Sequence, residues 1–437
     1  MMKIIEKEWV MVKPMEETPS VSIWLSNIDL VFPDAYHSRW MHIYRCDGCA
    51  GIFDTAALKA ALSRALVEFY PYAGRLREDD NGRLEINCNG EGVLFVEAEY
   101  DGSLDDLGDF CNPRPDLSLV PAVDYSHGIS SFPLFLVKLT RFKCGGVSLG
   151  FANEHHTSDG ISALHFITTW SEIARGLTTI PPTISLDRRV LSARNPPQPQ
   201  FRHIEHQPPP PLKTAPPLAD TTSSTFRLSR HHIKALKQKC SSHSNYSMYE
   251  VVAGHVWRCV SIARGLPRDQ ETKLQFPLNA RQKLRPPLPE GFFGNGIFYT
   301  GAFARIGELE SKPLRFAVEK VHEAIARMDD EYMWSALDYL ELHMQNVEGI
   351  VRTQNNVKCP NFGITNWVRL PVHKAEFGLG KLVFVGPGGA PSEGKSFLFA
   401  DQENEGSLLL AITLHQQHMK RFQNLLYHDD SYIISKI

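Results

Sequence analysis

The sequence predicts a mixed α/β protein, with α+β character, in two domains or three. Three observations predict it. The chain has 437 residues, and a domain commonly takes roughly 100–200. Helix-like and strand-like periodicities occur in both halves. A compositional break separates the halves: residues 181–217 hold eleven of the 29 prolines, including the run Pro208-Pro209-Pro210-Pro211. Proline fixes φ and removes a backbone donor, so such a stretch makes neither an α-helix nor a central strand, and it reads as an extended linker. The chain is thereby divided into 1–180, a Pro-rich crossover at 181–224, and 225–437.

Residues 54–68 read as an amphipathic helix. Asp54 suits the N-cap, Leu58, Leu62 and Leu66 recur at i+4 spacing, and Tyr70-Pro71 stops the run. Residues 75–77 and 84–86 read as two strands around the turn Asp79-Asp80-Asn81-Gly82. Strands follow at 93–98, after Gly92, and at 132–140. Beyond the Pro-rich break, helices are expected at 229–239, 247–264, 313–328 and 332–346. Residues 382–414 alternate strand-like runs with Gly-rich turns. No internal repeat of fixed period is visible.

Composition excludes several classes. A formal net charge of −3 is too near neutral for a nucleic-acid or anionic-membrane binder. The N-terminus lacks the apolar run of a signal peptide, and no stretch approaches the ~20 apolar residues of a membrane span. Ser435-Lys436-Ile437 resembles a peroxisomal tripeptide but ends in Ile, so the expected location is the cytoplasm. The eight cysteines are scattered, and Cys46-Asp47-Gly48-Cys49 lacks the second ligand pair or the βαβ context that a zinc or redox reading requires.

The sharpest local constellation is Asn153-Glu154-His155-His156-Thr157-Ser158-Asp159-Gly160. Val147, Leu149, Phe151, Asn153 and His155 share one parity of a strand, and His156 has the other. Gly160 then opens a helix carrying Ile161, Leu164, Ile167, Trp170 and Ile173, with Gly176 at its C-cap. His155 therefore stands where a strand ends, a common position for a catalytic side chain on a rigid support. Imidazole, with an unperturbed pKa of about 6.5, suits removal of a proton from an attacking hydroxyl or amine. Asp159 either orients the imidazole as in a triad or turns away to pair with an arginine. A packed core histidine beside a helix-capping aspartate is the plain structural alternative. Strand parity argues against His155, His156 and Asp159 sharing a metal, so no metal is expected.

Motifs along the rest of the chain add a resemblance. Phe69-Tyr70-Pro71-Tyr72-Ala73-Gly74-Arg75-Leu76, His155 to Gly160, Gly254-His255-Val256-Trp257-Arg258, Phe293-Gly294-Asn295 and Gly386-Pro387-Gly388-Gly389 occur in a characteristic order and spacing. In these the chain resembles the plant BAHD acyltransferases over nearly its whole length. It is most similar to the hydroxycinnamoyl-CoA:shikimate/quinate hydroxycinnamoyltransferases and the rosmarinic acid synthases. The resemblance implies two similar-sized domains, each a mixed sheet with helices, joined by a long crossover, with 382–402 returning to the first domain. It implies a monomer acting on small molecules, hydroxycinnamoyl-CoA and an acceptor alcohol, without a cofactor, because the CoA thioester is a substrate. His155 becomes the general base. Asp159 becomes the ion-pair partner of Arg281 in Asn279-Ala280-Arg281, an architectural role shared with Gly160.

The resemblance also implies an acceptor site. Arg352, upstream of Gly363-Ile364-Thr365-Asn366-Trp367, matches the arginine that grips an acceptor carboxylate. Thr365 and Trp367 offer donors to the acceptor or the developing oxyanion. Trp40, His42 and Lys395 complete the set. His42 and Lys395 look like rosmarinic acid synthases, whereas Arg352 and Thr365 look like the shikimate type. An amine acceptor would call for acidic residues instead. The family's D-F-G-W-G motif appears as Glu376-Phe377-Gly378-Leu379-Gly380, a departure expected to affect stability or CoA entry rather than chemistry. A non-catalytic, ligand-binding member is the alternative of another class. An oxidoreductase is disfavoured because no G-x-G-x-x-G opens a helix after a strand.

Overall fold

The computed structural model describes residues 3–46, 54–108, 118–177, 184–213, 220–240, 245–344, 355–388 and 392–428. In chain order their strands are β1 (Ile4–Val12), β2 (Ser22–Trp24), β3 (His37–Arg45), β4 (Arg75–Glu78), β5 (Leu84–Asn87), β6 (Val93–Tyr100), β7 (Phe135–Phe142), β8 (Val147–Glu154), β9 (Thr221–Leu228), β10 (Glu271–Asn279), β11 (Ile297–Arg305), β12 (Phe362–Asn366), β13 (Lys381–Pro387), β14 (Lys395–Ala400) and β15 (Leu408–His415). The helices are α1 (Thr55–Glu68), α2 (Gly160–Ala174), α3 (Arg230–Cys240), α4 (Met248–Arg264), α5 (Ile306–Ser311), α6 (Leu314–Ala326), α7 (Asp330–Met344) and α8 (Gln416–Tyr427). The mixed α/β class is as expected. The chain divides into two units. The first takes Met1–Ser192, Pro286–Gly296 and Arg369–Gly389, and the second takes Ala193–Arg285, Ile297–Val368 and Ala390–Ile437.

The first unit is built on a six-stranded sheet in the order β1-β6-β7-β8-β3-β13. β6 and β7 run parallel, and the other neighbours are antiparallel. Phe95, Val137, Phe151 and Trp40 stand in register across β6, β7, β8 and β3. Helices α1 and α2 pack on that face: the Trp170 indole N–H donates to the Leu58 carbonyl at 3.0 Å, and Phe166 meets Phe135 edge-on at 5.1 Å. Every residue of β8 is buried, which is what a central strand covered on both faces requires. A small sheet, β2-β5-β4, lies beside it. Its hairpin forms because Asp79 Oδ1 accepts the Asn81 and Arg83 N–H groups, at 2.8 and 2.9 Å.

The second unit repeats the plan with the order β11-β10-β12-β14-β15-β9. Its core gathers Val252, Val256, Trp257 and Val260 of α4 against Leu274, Phe276, Phe362, Leu398, Leu410 and Phe422. Ser247 caps α4 and Glu250 reaches back to the Ser247 N–H, a capping box that ends the preceding loop sharply.

The described part of the Pro-rich stretch has no α-helix, but it is more than an extended spacer. It makes short 3-10 turns at Arg188–Leu191 and Ile204–His206, and each sends polar side chains inward. In the second unit, Glu205 accepts from the Tyr332 hydroxyl at 2.9 Å, and the His203 ring bonds both Glu205 and the Ser335 hydroxyl. In the first unit, Arg188 is fully buried.

Candidate active site

Within 147–159, His155 alone keeps partial exposure. β8 stops at Glu154, and the chain turns through the bond from the Thr157 N–H to the Glu154 carbonyl. The His155 N–H still pairs with the Tyr36 carbonyl at 3.1 Å, so its backbone continues the sheet for one more residue. Its ring stacks on Phe32, with centroids 3.8 Å apart and planes at 16°, and lies near-parallel to Tyr36 at 5.9 Å. An imidazole held flat against an aromatic face retains few orientations, which places its edge for proton transfer.

The opposite parity expected for His156 has a clear consequence. His156 is completely buried, and its Nδ1 meets Glu154 Oε1 at 2.6 Å. Burial would raise the Glu154 pKa, but the attraction of His156 and its hydrogen bond outweigh that and leave the carboxyl below its ordinary value. Burial would lower His156, and Glu154 overrides it in turn, so His156 lies above the ordinary histidine value. Each group thus favours the charged form of the other beneath the turn. Nearby His37 is pushed down to about 4, chiefly by burial.

Asp159 ends the turn. Its Oδ1 accepts the Ile161 and Ser162 N–H groups at 3.1 and 3.0 Å, capping α2 directly before Gly160, and its Oδ2 accepts the Gly296 N–H at 2.8 Å. Asn153 and Tyr72 close the ring: the Asn153 amide donates to the Ser158 carbonyl at 2.9 Å, and the Tyr72 hydroxyl lies 2.5 Å from Ser158 Oγ. Tyr72 belongs to the early motif singled out in the sequence. Two further side chains hold the turn from remote segments, and a third, Asp29, holds those two. Asn295 Nδ2 donates to the His155 carbonyl at 2.8 Å. Arg188 donates to the His156 and Thr157 carbonyls at 3.0 and 2.5 Å. Asp29 Oδ1 meets both, at 2.8 Å from Asn295 Nδ2 and 3.1 Å from Arg188 Nη1. Sequence reasoning quoted Asn295 only within a motif and missed Asp29, Phe32 and Arg188, since no local periodicity links residues so far apart.

The residues expected at the acceptor site fall into two groups. In the second unit Thr365, Trp367 and Lys395 come together around Phe397. Thr365 pairs with Phe397 across β12 and β14, the Trp367 ring lies 4.8 Å from Phe397, and the Lys395 ammonium sits 5.3 Å from the same ring. In the first unit Trp40 and His42 both pack on Phe151, at 5.3 and 5.2 Å. His42 is fully buried, and burial pushes its pKa down to about 3, so it is neutral. Arg281, in the second unit, follows β10 and donates its N–H to Asn279 Oδ1 at 3.1 Å. Arg352, Cys49 and Ser435 to Ile437 lie outside the described residues. Among the described residues no group of three or more His, Cys, Asp or Glu is placed to hold a metal ion, and no helix is long and apolar enough to cross a membrane.

Residues 1–429 match the family model described as the Transferase family, which is the BAHD acyltransferase family. The chain belongs to that family. Over 433 residues it is 52% identical to a rosmarinate synthase of Plectranthus scutellarioides, covering 98% of this chain and 100% of the relative. Over 437 residues it is also 52% identical to a shikimate O-hydroxycinnamoyltransferase of Nicotiana tabacum, with the same coverage. The crystal structure of vinorine synthase shares the fold, with a TM-score of 0.73 at 20% identity over 98% of this chain and 100% of that one. As a BAHD member this chain is an acyl-CoA-dependent acyltransferase.

In this acyltransferase the altered D-F-G-W-G motif occupies a structural position. Phe377 is buried and meets Trp170 of α2 edge-on at 4.8 Å. Leu379 is buried too, whereas Glu376 lies at the surface, 3.6 Å from Arg175. Gly378 and Gly380 adopt positive φ, +74° and +105°. At Gly380 a Cβ would lie 2.3 Å from the Arg45 carbonyl oxygen, so no other residue fits where the chain enters β13 beside β3.

Proposed function

We propose that this acyltransferase moves a hydroxycinnamoyl group from its CoA thioester to a hydroxyl of a carboxylate-bearing acceptor, shikimate or quinate, with His155 as general base. The observation that carries the assignment of the base is the partial exposure of His155 alone in an otherwise buried run. The name of the Nicotiana tabacum relative, a shikimate O-hydroxycinnamoyltransferase at 52% identity, supports the hydroxycinnamoyl donor. In this reading the His155 imidazole takes the proton of the acceptor hydroxyl as its oxygen attacks the thioester carbonyl. The tetrahedral intermediate collapses, the C–S bond breaks, and the departing thiolate takes the proton back from the imidazolium. The products are the ester and free CoA, and no acyl-enzyme forms.

Arg352 bonds the acceptor carboxylate with its planar fork in this reading. Thr365 and Trp367 donate to the acceptor or the oxyanion, and Lys395 adds charge beside them. Trp40 and His42, the latter neutral and buried, act in this reading through their packing on Phe151 in the first unit. Arg352→Ala should raise the acceptor KM at least tenfold, since a hydrogen bond to a charged group contributes about 1.5–3 kcal/mol. An unchanged KM removes Arg352 from the site. A second reading, rosmarinate synthase-like transfer to 4-hydroxyphenyllactate, is favoured by His42 and Lys395. Incubating the protein with coumaroyl-CoA or caffeoyl-CoA and each acceptor in turn separates the two. Faster ester formation with shikimate or quinate supports the first reading, and faster formation with 4-hydroxyphenyllactate moves the assignment to the second. No ester with any of them overturns the acceptor class.

A further inference from the structure

Beyond the end of β8 the carbonyls of His155, His156 and Thr157 have left the sheet ladder, and His156 and Thr157 are fully buried. Buried carbonyls need donors. Here all three accept from Asn295 or Arg188, whose side chains come from chain segments far from the turn and from each other. Both converge on Asp29 Oδ1, and the Asn295 backbone N–H also reaches that oxygen at 3.2 Å. The other oxygen of Asp29 is held by the Ser26 N–H and hydroxyl, both at 2.8 Å. All three side chains are at most 1% exposed. Gly294 makes room for this arrangement, since a Cβ there would lie 3.2 Å from Arg188 Nε.

A buried ion pair is weak evidence for stability, because desolvation offsets its attraction. What the arrangement does supply is geometric definition. Asp29 opens the 3-10 turn Asp29–Val31, and the next residue, Phe32, is the one stacked on the His155 ring. A single carboxylate therefore ties together the backbone that carries His155 and the segment that sets its ring plane. We propose that Asp29, Arg188 and Asn295 are positioning residues that hold His155 in its reactive placement, so that the first turn of the Pro-rich crossover takes part in setting the rate. The proposal rests on His155 being the base.

The test uses the full chain, with coumaroyl-CoA and whichever of shikimate, quinate or 4-hydroxyphenyllactate it esterifies. The variants are Asn295→Ala, Asp29→Asn, Arg188→Lys and Arg188→Ala. A displacement of about 1 Å at a reacting group can cost about 10²-fold, so each should lower kcat by about 10- to 10²-fold with KM for the acyl-CoA little changed. Arg188→Lys should retain more rate than Arg188→Ala, and added guanidinium should restore part of the rate to Arg188→Ala but none to His155→Ala. Should the Arg188 variants fail to fold, Asn295→Ala and the shape-conserving Asp29→Asn carry the test. Folded variants with parental kcat overturn the proposal, as does a loss confined to thermal stability or shared equally by kcat and CoA binding. A His155→Ala protein with the parental rate overturns the assignment of the base instead. A dead His155→Ala protein beside fully active clamp variants overturns the clamp alone.

Discussion

His155 and His156 are adjacent in the chain, and their environments give them different work. His155 keeps solvent access and an aromatic bed, while His156 is sealed against Glu154. The sealed pair makes stability depend on pH. The Glu154 pKa is depressed in the fold, so its contribution is complete above the ordinary value of 4.5 and is lost as pH falls through the depressed one. The His156 pKa is raised, so its contribution is complete below 6.5 and is lost as pH rises through the raised value. The thermal-stability gap between the parent and Glu154→Gln should therefore be widest between the ordinary values of 4.5 and 6.5, and narrow as pH falls through the depressed Glu154 value or rises through the raised His156 value. A gap independent of pH would show that the two groups do not titrate as a pair. At this scale the sequence showed which histidine differs, by strand parity alone. It did not show why His156 is needed, since the answer is a neighbour two residues away whose burial is tertiary.

At the scale of elements, local chemistry decides boundaries and packing decides importance. Asp54 is the cap that the sequence suggests, and α1 begins one residue later; Ser247, where the second long helix was expected to start, is instead the cap of α4, which begins at Met248. Asp159 is also a cap, but it binds the Gly296 N–H as well, so the start of α2 and the loop after β10 are fixed together. The Glu376–Gly380 segment shows the converse. Its charge is at the surface and of little consequence, whereas Phe377 fills the core against Trp170. Phe377→Ala should destabilise the first unit by about 3–5 kcal/mol, read from denaturant titration. Glu376→Asp should be nearly silent, and a large effect there with none at Phe377 would reverse this account. Strands β1, β2, β3, β9, β10, β11 and β12 and helices α5 and α8 were not anticipated. β3 reads His-Ser-Arg-Trp-Met-His-Ile-Tyr-Arg, with no apolar alternation, because both of its faces are covered and one carries polar groups paired internally.

For the whole molecule, both units use one plan, a six-stranded mixed sheet bearing helices, and the motifs mark where chain segments meet. The mixed class and the break at the prolines were legible because composition and periodicity are local. The pairing of β13 with β3 and the convergence of Asp29, Arg188 and Asn295 were not, because they depend on residues hundreds of positions apart. The chemistry assigned to this molecule carries a kinetic signature. With the acceptor itself as nucleophile, both substrates are bound before CoA leaves, so initial-rate lines should intersect, and acyl-CoA alone should release no burst of CoA. Parallel lines with a burst would point to an acyl-enzyme. The most direct measurement is the turnover of His155→Ala with saturating coumaroyl-CoA and acceptor, beside its affinity for CoA. A general base contributes about 10²–10⁴-fold, so turnover should fall by at least about 10²-fold while CoA binding persists. Equal turnover in the variant and the parent would contradict the account.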